Sequence, residues 1–207
     1  MGRAPKELAA GVRMAITVVV SLAPLALGCG IFSPRDPRPG GAAGVACATP
    51  NAPADVVSNL LAHYGSLAGV DCYSSMLDPS FTFHPDAADS IEAPVDTIYA
   101  NWTAKVESGV AGSLARAATY HRTVFDSTYA TTVITPGPPR SEVRFYAYNL
   151  TIRAAETAPD TLFQGRAEIT FTEGSGAQWR ITNWQDRRDG SGARTWGYLR
   201  SLYRVGF

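Results

Sequence analysis

The sequence predicts an α+β domain in which helices pack on one face of a mostly antiparallel sheet. Two observations carry this expectation. Apolar residues recur at helical spacing from Val56 to Val106, and after Gly109 the chain turns to alternating runs of β-branched and aromatic residues. A third observation sets the scale: 207 residues, 45% apolar and 17% charged, hold one domain plus accessory segments.

The first 28 residues read as an address. Arg3, Lys6 and Arg13 form a positive start, and Met14 to Leu27 is uncharged. As a helix this stretch reaches roughly 21 Å, short of the roughly 30 Å hydrocarbon core of a bilayer. Pro24 weakens its end. These are marks of a cleaved signal peptide, the alternative being an uncleaved anchor. The stretch closes on Leu25-Ala26-Leu27-Gly28-Cys29, which resembles the lipobox of bacterial lipoproteins, although Ala26 stands where that family prefers Leu. The resemblance implies that Cys29 carries diacylglycerol and begins the mature chain. With acyl chains worth about 0.8 kcal/mol per buried methylene, such an anchor is stable. Gly30 rather than Asp after the cysteine implies, by the same resemblance, the outer membrane facing the periplasm.

Residues 29–50 read as the lipidated cysteine and a tether. Ser33 to Gly44 is rich in Pro and Gly and has no apolar period. Cys47 and Cys72 form an even pair in an exported chain, which suggests a disulfide. The alternative is that Cys72 is a buried small hydrophobe and Cys47 lies loose.

The domain is expected over 51–207. Asn51 is placed to cap a helix that carries Val56, Val57, Leu60, Leu61 and Tyr64 and ends at Gly65 or Gly69. A short helix over Asp71 to Leu77 follows, stopped by Pro79, and Phe81 to His84 reads as a strand. A third helix, opening at Ser90 or Pro94, is expected to carry Val95, Ile98, Tyr99, Trp102 and Val106. Strands are expected over Ala118 to Phe125, Tyr129 to Ile134, Val143 to Arg153, Leu162 to Thr172 and Trp179 to Trp184. In the fourth of these, Phe163, Gly165, Ala167, Ile169 and Phe171 share one face. Pro136 to Pro139 and Glu173 to Gly176 read as loops, the latter in a hairpin, and Asp186 to Gly192 as a solvated turn.

This order, with Gly165-Arg166-Ala167 in one closing strand and Trp179-Arg180-Ile181, Trp184 and Asp186 in the next, is similar to the nuclear transport factor 2-like superfamily. Tyr73 to Phe83 resembles that family's passage from second helix to first strand. The resemblance implies three N-terminal helices on a strongly bent sheet, a cystatin-like cone with a pocket between helices and concave face. It also implies that a homodimer through the outer sheet face is a possible partner. The same cone hosts enzymes, ligand carriers and dimerisation modules, so activity has to be argued from the site. The Trp196 to Leu199 tail lies beyond the family's common core and reads as a C-terminal cover, with Trp196 in the core.

His84-Pro85-Asp86, with Asp89 behind it, is the densest polar cluster. In dehydratases and cyclases of this fold a base and a phenol donor serve proton removal beside a carbonyl, so His84 and Asp86 are the candidate catalytic pair. The alternative is that Pro85 ends the strand and the aspartates make Asx turns. Tyr73, Tyr99, Trp102, Tyr146, Tyr148 and Trp184 are the candidate lining of a pocket for a small apolar ligand, Tyr99 and Trp102 serving equally as core. His63, His84 and His121 are too scattered for a metal site, and none is expected. No nucleophile elbow, phosphate loop or dinucleotide fingerprint occurs, so no cofactor is expected. Formal net charge is zero, and loss of the first 28 residues leaves 15 basic against 17 acidic residues. The acids dominate residues 46–139 and the arginines lie mostly beyond, but no polybasic patch invites nucleic acid. Function is therefore expected to be a non-catalytic, membrane-anchored cone that binds a ligand or partner. The alternatives are a dehydratase, isomerase or cyclase-type pocket enzyme, and a structural dimerisation module.

Overall fold

The computed structural model describes residues 46–204 apart from Asp96, Tyr129 and Thr131, all within one compact unit. The signal segment, Cys29 and the Ser33 to Gly44 tether lie outside the described residues. The elements run α1 (Pro53–His63), α2 (Val70–Ser75), β1 (Leu77–His84), α3 (Ala87–Glu92), α4 (Ala104–Ala117), β2 (Tyr120–Thr128), β3 (Val133–Thr135), β4 (Ser141–Arg153), β5 (Thr161–Glu173), β6 (Trp179–Arg187) and α5 (Trp196–Tyr203). The fold is α+β. One sheet runs β1-β6-β5-β4-β2, with β3 pairing on β4; β1 and β6 are parallel and the other pairs antiparallel. Register shifts in the β1/β6, β5/β6 and β2/β4 pairs mark where the sheet curls.

The long strands obey their pattern. Phe163, Gly165, Ala167, Ile169 and Phe171 of β5 are buried on the concave face, and Tyr146, Tyr148, Leu150 and Ile152 of β4 join them. Glycine is required at Gly165, because a Cβ there would stand 2.7 Å from the Arg187 carbonyl and 2.7 Å from the Tyr148 hydroxyl. Phe145 turns to the other face and is half-buried.

The N-terminal edge of the domain lies earlier than the 51 boundary. Cys47 and Cys72 are bonded, with Cα atoms 5.6 Å apart. The Asn59 side chain holds the Ala48 backbone through both its N–H (3.0 Å) and its carbonyl (2.7 Å). Trp179 N–H donates to the Pro50 carbonyl at 2.7 Å, so residues 47–50 belong to the fold and the tether ends before them. The cap of α1 is Ala52 rather than Asn51; Asp55 reaches back to accept its N–H at 2.9 Å, and Pro53 occupies the first turn. Gly65, at φ +74°, turns the chain after α1.

The expected third helix is corrected. Thr97 to Asn101 are turns, Val95 faces solvent and Asn101 sits at φ +54°. The helix begins after Thr103, whose side chain caps it, and buries Glu107, Val110, Ala111 and Leu114 instead. Gly109 and Gly112 lie inside it: tertiary burial of that face outweighs their helix cost of about 1 kcal/mol each. The tail lies over the interior with Trp196 in the core, as expected, and it is more than a cover. It is a helix, α5, with Trp196, Gly197, Tyr198, Leu199, Arg200 and Ser201 all buried. Among the described residues no helix is long and apolar enough to cross a membrane.

Candidate functional site

The hollow between helices and concave sheet is where a pocket was expected, and α5 fills it. The helix starts where Thr195 caps it through Gly197 N–H at 2.9 Å. A spacing of four then places Trp196 and Arg200 on one face. The Trp196 ring meets Tyr64 (4.5 Å between centroids), Trp184 (4.8 Å) and Tyr148 (5.5 Å), all edge to face.

Two carboxylates hold α5 from inside. Asp186 on β6 accepts from Gly197 N–H (2.5 Å) and from the Tyr148 hydroxyl (2.7 Å); that hydroxyl in turn accepts from Trp196 N–H (2.8 Å). A carboxylate at a helix N-terminus is favoured by the helix dipole. Burial nevertheless raises the Asp186 pKa from 3.8 to about 6, against the lowering pull of Arg200 and the Tyr148, Thr195 and Gly197 hydrogen bonds. Burial and then the Asp186 charge push the Tyr148 phenol well above its usual value.

Glu107 on α4 is the second carboxylate. It accepts from the Tyr73 hydroxyl (2.6 Å), Trp102 Nε1–H (2.8 Å) and Arg200 Nε–H (2.9 Å). Both ends of the Glu107–Arg200 pair are fully buried. The guanidinium is flanked by Trp184 (4.2 Å from its carbon to the ring centroid), Phe83 (4.4 Å) and Trp196 (5.1 Å). Burial works against its charge, yet Glu107, Tyr64, Tyr73 and Asp186 together hold Arg200 protonated beyond the usual arginine range. Among the described residues its two terminal amino groups find no hydrogen-bond partner, nor do the indole nitrogens of Trp184 and Trp196.

The expected pocket residues are brought together, around an occupant. Tyr73, Trp102, Tyr148 and Trp184 surround α5 as above, and the Tyr99 hydroxyl donates to the Gly197 carbonyl at 2.9 Å. Tyr146 stands apart, stacked on Phe125 at 4.4 Å. The expected catalytic pair is not assembled. His84 is exposed, at the lip of a groove of about 480 Å³ along the edge of β1 that also includes Tyr99 and Trp102, whose polar groups are bonded elsewhere. Asp86 gives one oxygen to Ala88 N–H (2.8 Å), capping α3, and the other to Arg188 N–H (3.0 Å). Asp89 is buried rather than in a surface turn: it accepts from the Thr195 hydroxyl and from Arg188 at 2.6 Å. The segment expected as a solvated turn thus contains the buried Asp186 and the Arg188 that ties α3 to it. Among the described residues no group of three or more His, Cys, Asp or Glu side chains could hold a metal ion.

Sequence reasoning missed Glu107, Asp186 and Arg200 as interior groups. For Arg200 a signal existed: Trp196, Leu199 and Tyr203 set an apolar face, and Arg200 lies one turn from Trp196 on it.

No family model matches the sequence, nor does any curated protein. Among solved structures the chain is similar to a nuclear transport factor 2-like superfamily protein from Salmonella enterica, at 13% identity and a TM-score of 0.47 over 67% of this chain and 91% of that one. It is also similar to ActVI-ORFA from Streptomyces coelicolor (13%, 0.46, 66% and 96%). A third likeness is to a nuclear transport factor 2-like protein of unknown function in nutrient uptake from Rhodospirillum rubrum (9%, 0.40, 65% and 93%). At these scores the likenesses carry no argument about activity; the fold class stands on the strand order and pairings described above.

Proposed function

We propose that this chain is a non-catalytic envelope lipoprotein, anchored through Cys29, whose closed cone is a partner-binding module rather than a small-molecule pocket. The observation that supports this reading is the filling of the cone by Trp196 and Arg200, with the one candidate base, His84, outside it. Proton abstraction needs a base and a donor facing a common substrate. Here the buried carboxylates are all engaged: Asp89 by Arg188 and Thr195, and Glu107 and Asp186 by α5 or by residues that contact it. A partner would be met from outside, and the outward residues of β5 and β6 (Gln164, Glu168, Thr170, Arg180, Thr182, Gln185) offer it a polar surface. A homodimer through this surface is one form such a partner could take.

Two measurements test the reading. Palmitate labelling of the wild type against Cys29→Ala is expected to lose its signal in the variant; equal labelling would remove the anchor. Native mass spectrometry of the purified protein is expected to show no retained small molecule, whereas a stoichiometric apolar ligand would restore the pocket reading.

A further inference from the structure

The interior that Arg200 enters is chemically a receptor, and most of it does not depend on α5. The Glu107 carboxylate is oriented by two donors from elsewhere in the fold, Tyr73 on one oxygen and Trp102 on the other. Phe83 on β1 and Trp184 on β6 supply ring faces within 4.4 Å of the cation. A carboxylate fixed in advance beside aromatic walls, out of water, loses little freedom on receiving a cation. A planar guanidinium suits it better than an ammonium, because it can stack on both rings while one N–H meets the carboxylate. Among the described residues the two amino groups of Arg200 find no hydrogen-bond partner, so selection rests on the rings and Glu107.

We propose that the interior of the cone is an alkylguanidinium-binding cage, occupied in this chain by its own Arg200 and able to accept the same group from solution when that side chain is absent. The proposal goes beyond the partner-binding reading and does not depend on the anchor. It names the chemical class that a vacated cone would take.

The test is chemical rescue. Arg200→Ala in the full chain removes Cγ outward, and N-ethylguanidinium restores those atoms. Titrating N-ethylguanidinium into this variant is expected to raise its melting temperature saturably, by several degrees, with half-effect at millimolar concentration. Urea, which has the planar shape without the charge, and sodium chloride at equal ionic strength are expected to give no saturable rise. Arg200→Met, which fills the space without a cation, is expected not to respond. If Arg200→Ala is unfolded on its own, the same titration is read as recovered folded fraction by circular dichroism. Absence of saturable rescue or recovery would overturn the proposal, as would an equal response to urea or in Arg200→Met.

Discussion

Replacing Asp186 by Asn removes a titration that burial has displaced. The carboxyl has a pKa of about 6 in the fold against 3.8 when unperturbed. The folded state therefore holds this proton more tightly than the unfolded chain, and stability from this group is fully present below about pH 3.8 and lost as pH rises through about 6. A displacement of this size corresponds to roughly 3 kcal/mol, at about 1.4 kcal/mol per unit. Of this, about 2 kcal/mol falls between pH 4.5 and pH 7. Burial lowers the pKa of His121, which acts in the opposite sense: its neutral form is favoured in the fold, so stability rises with pH towards 6.5. Comparing wild type with Asp186→Asn cancels that contribution. The variant carries a pH-independent cost of about 1–3 kcal/mol, because its amide NH2 meets either the Gly197 N–H or the Tyr148 hydroxyl where an acceptor stood. Urea unfolding followed by circular dichroism at pH 4.5, 5.5, 6.5 and 7 measures the difference. The gap in stability between wild type and variant is expected to narrow as pH rises, the midpoints closing by about 1 M urea across the range. A gap that stays constant or widens would refute the placement of a buried, poorly solvated carboxyl at the start of α5.

Reducing the Cys47–Cys72 bond, which closes a loop over 25 positions, is expected to cost about 3.5 kcal/mol in the chain-entropy view; an unchanged urea midpoint in Cys47→Ser would show that the bond is absent in solution. Gly165→Ala must displace either the Arg187 carbonyl or the Tyr148 hydroxyl. A cost of about 1–3 kcal/mol is expected, and a neutral effect on melting temperature would mean that β5 and β4 are spaced more widely than described. Trp196→Ala removes a fully buried ring in contact with Tyr64, Tyr148 and Trp184. It is expected to cost about 3–5 kcal/mol, with loss of near-ultraviolet dichroism, and a loss below about 1 kcal/mol would place that ring outside the core.

The sheet was legible because its signal is local. Each inward residue of β5 has period two, and a half-buried strand has no competing use for that pattern. The helix α1 was legible for the same reason at its own period. The third helix was not. Val95, Ile98, Tyr99 and Trp102 have helical spacing, but the positive φ of Asn101 breaks the run, and the Thr103 cap starts a helix whose buried face includes the charged Glu107. An apolar periodicity search cannot place that face, because its residue is kept inside by a partner 93 positions later. Asp186 failed similarly. Within Asp186-Arg187-Arg188-Asp189 it looks solvated, and only the arrival of Tyr148 and of the α5 N-terminus makes its burial tolerable. The candidate pocket was legible as a set of aromatic rings, since rings are read one at a time. Its occupant was legible only in part: Trp196 reads as core, but the entry of Arg200 depends on Glu107, a tertiary partner.

Amide hydrogen exchange of α5 tests the closed cone most directly. If the helix fills the interior, the amides of Leu199, Arg200 and Ser201 open only with the domain, and their protection is expected to match that of Ala167 and Ile169 in the centre of β5. Exchange of those three amides at rates near those of an unstructured peptide, while β5 stays protected, would mean that the cone stands open in solution and would contradict the account.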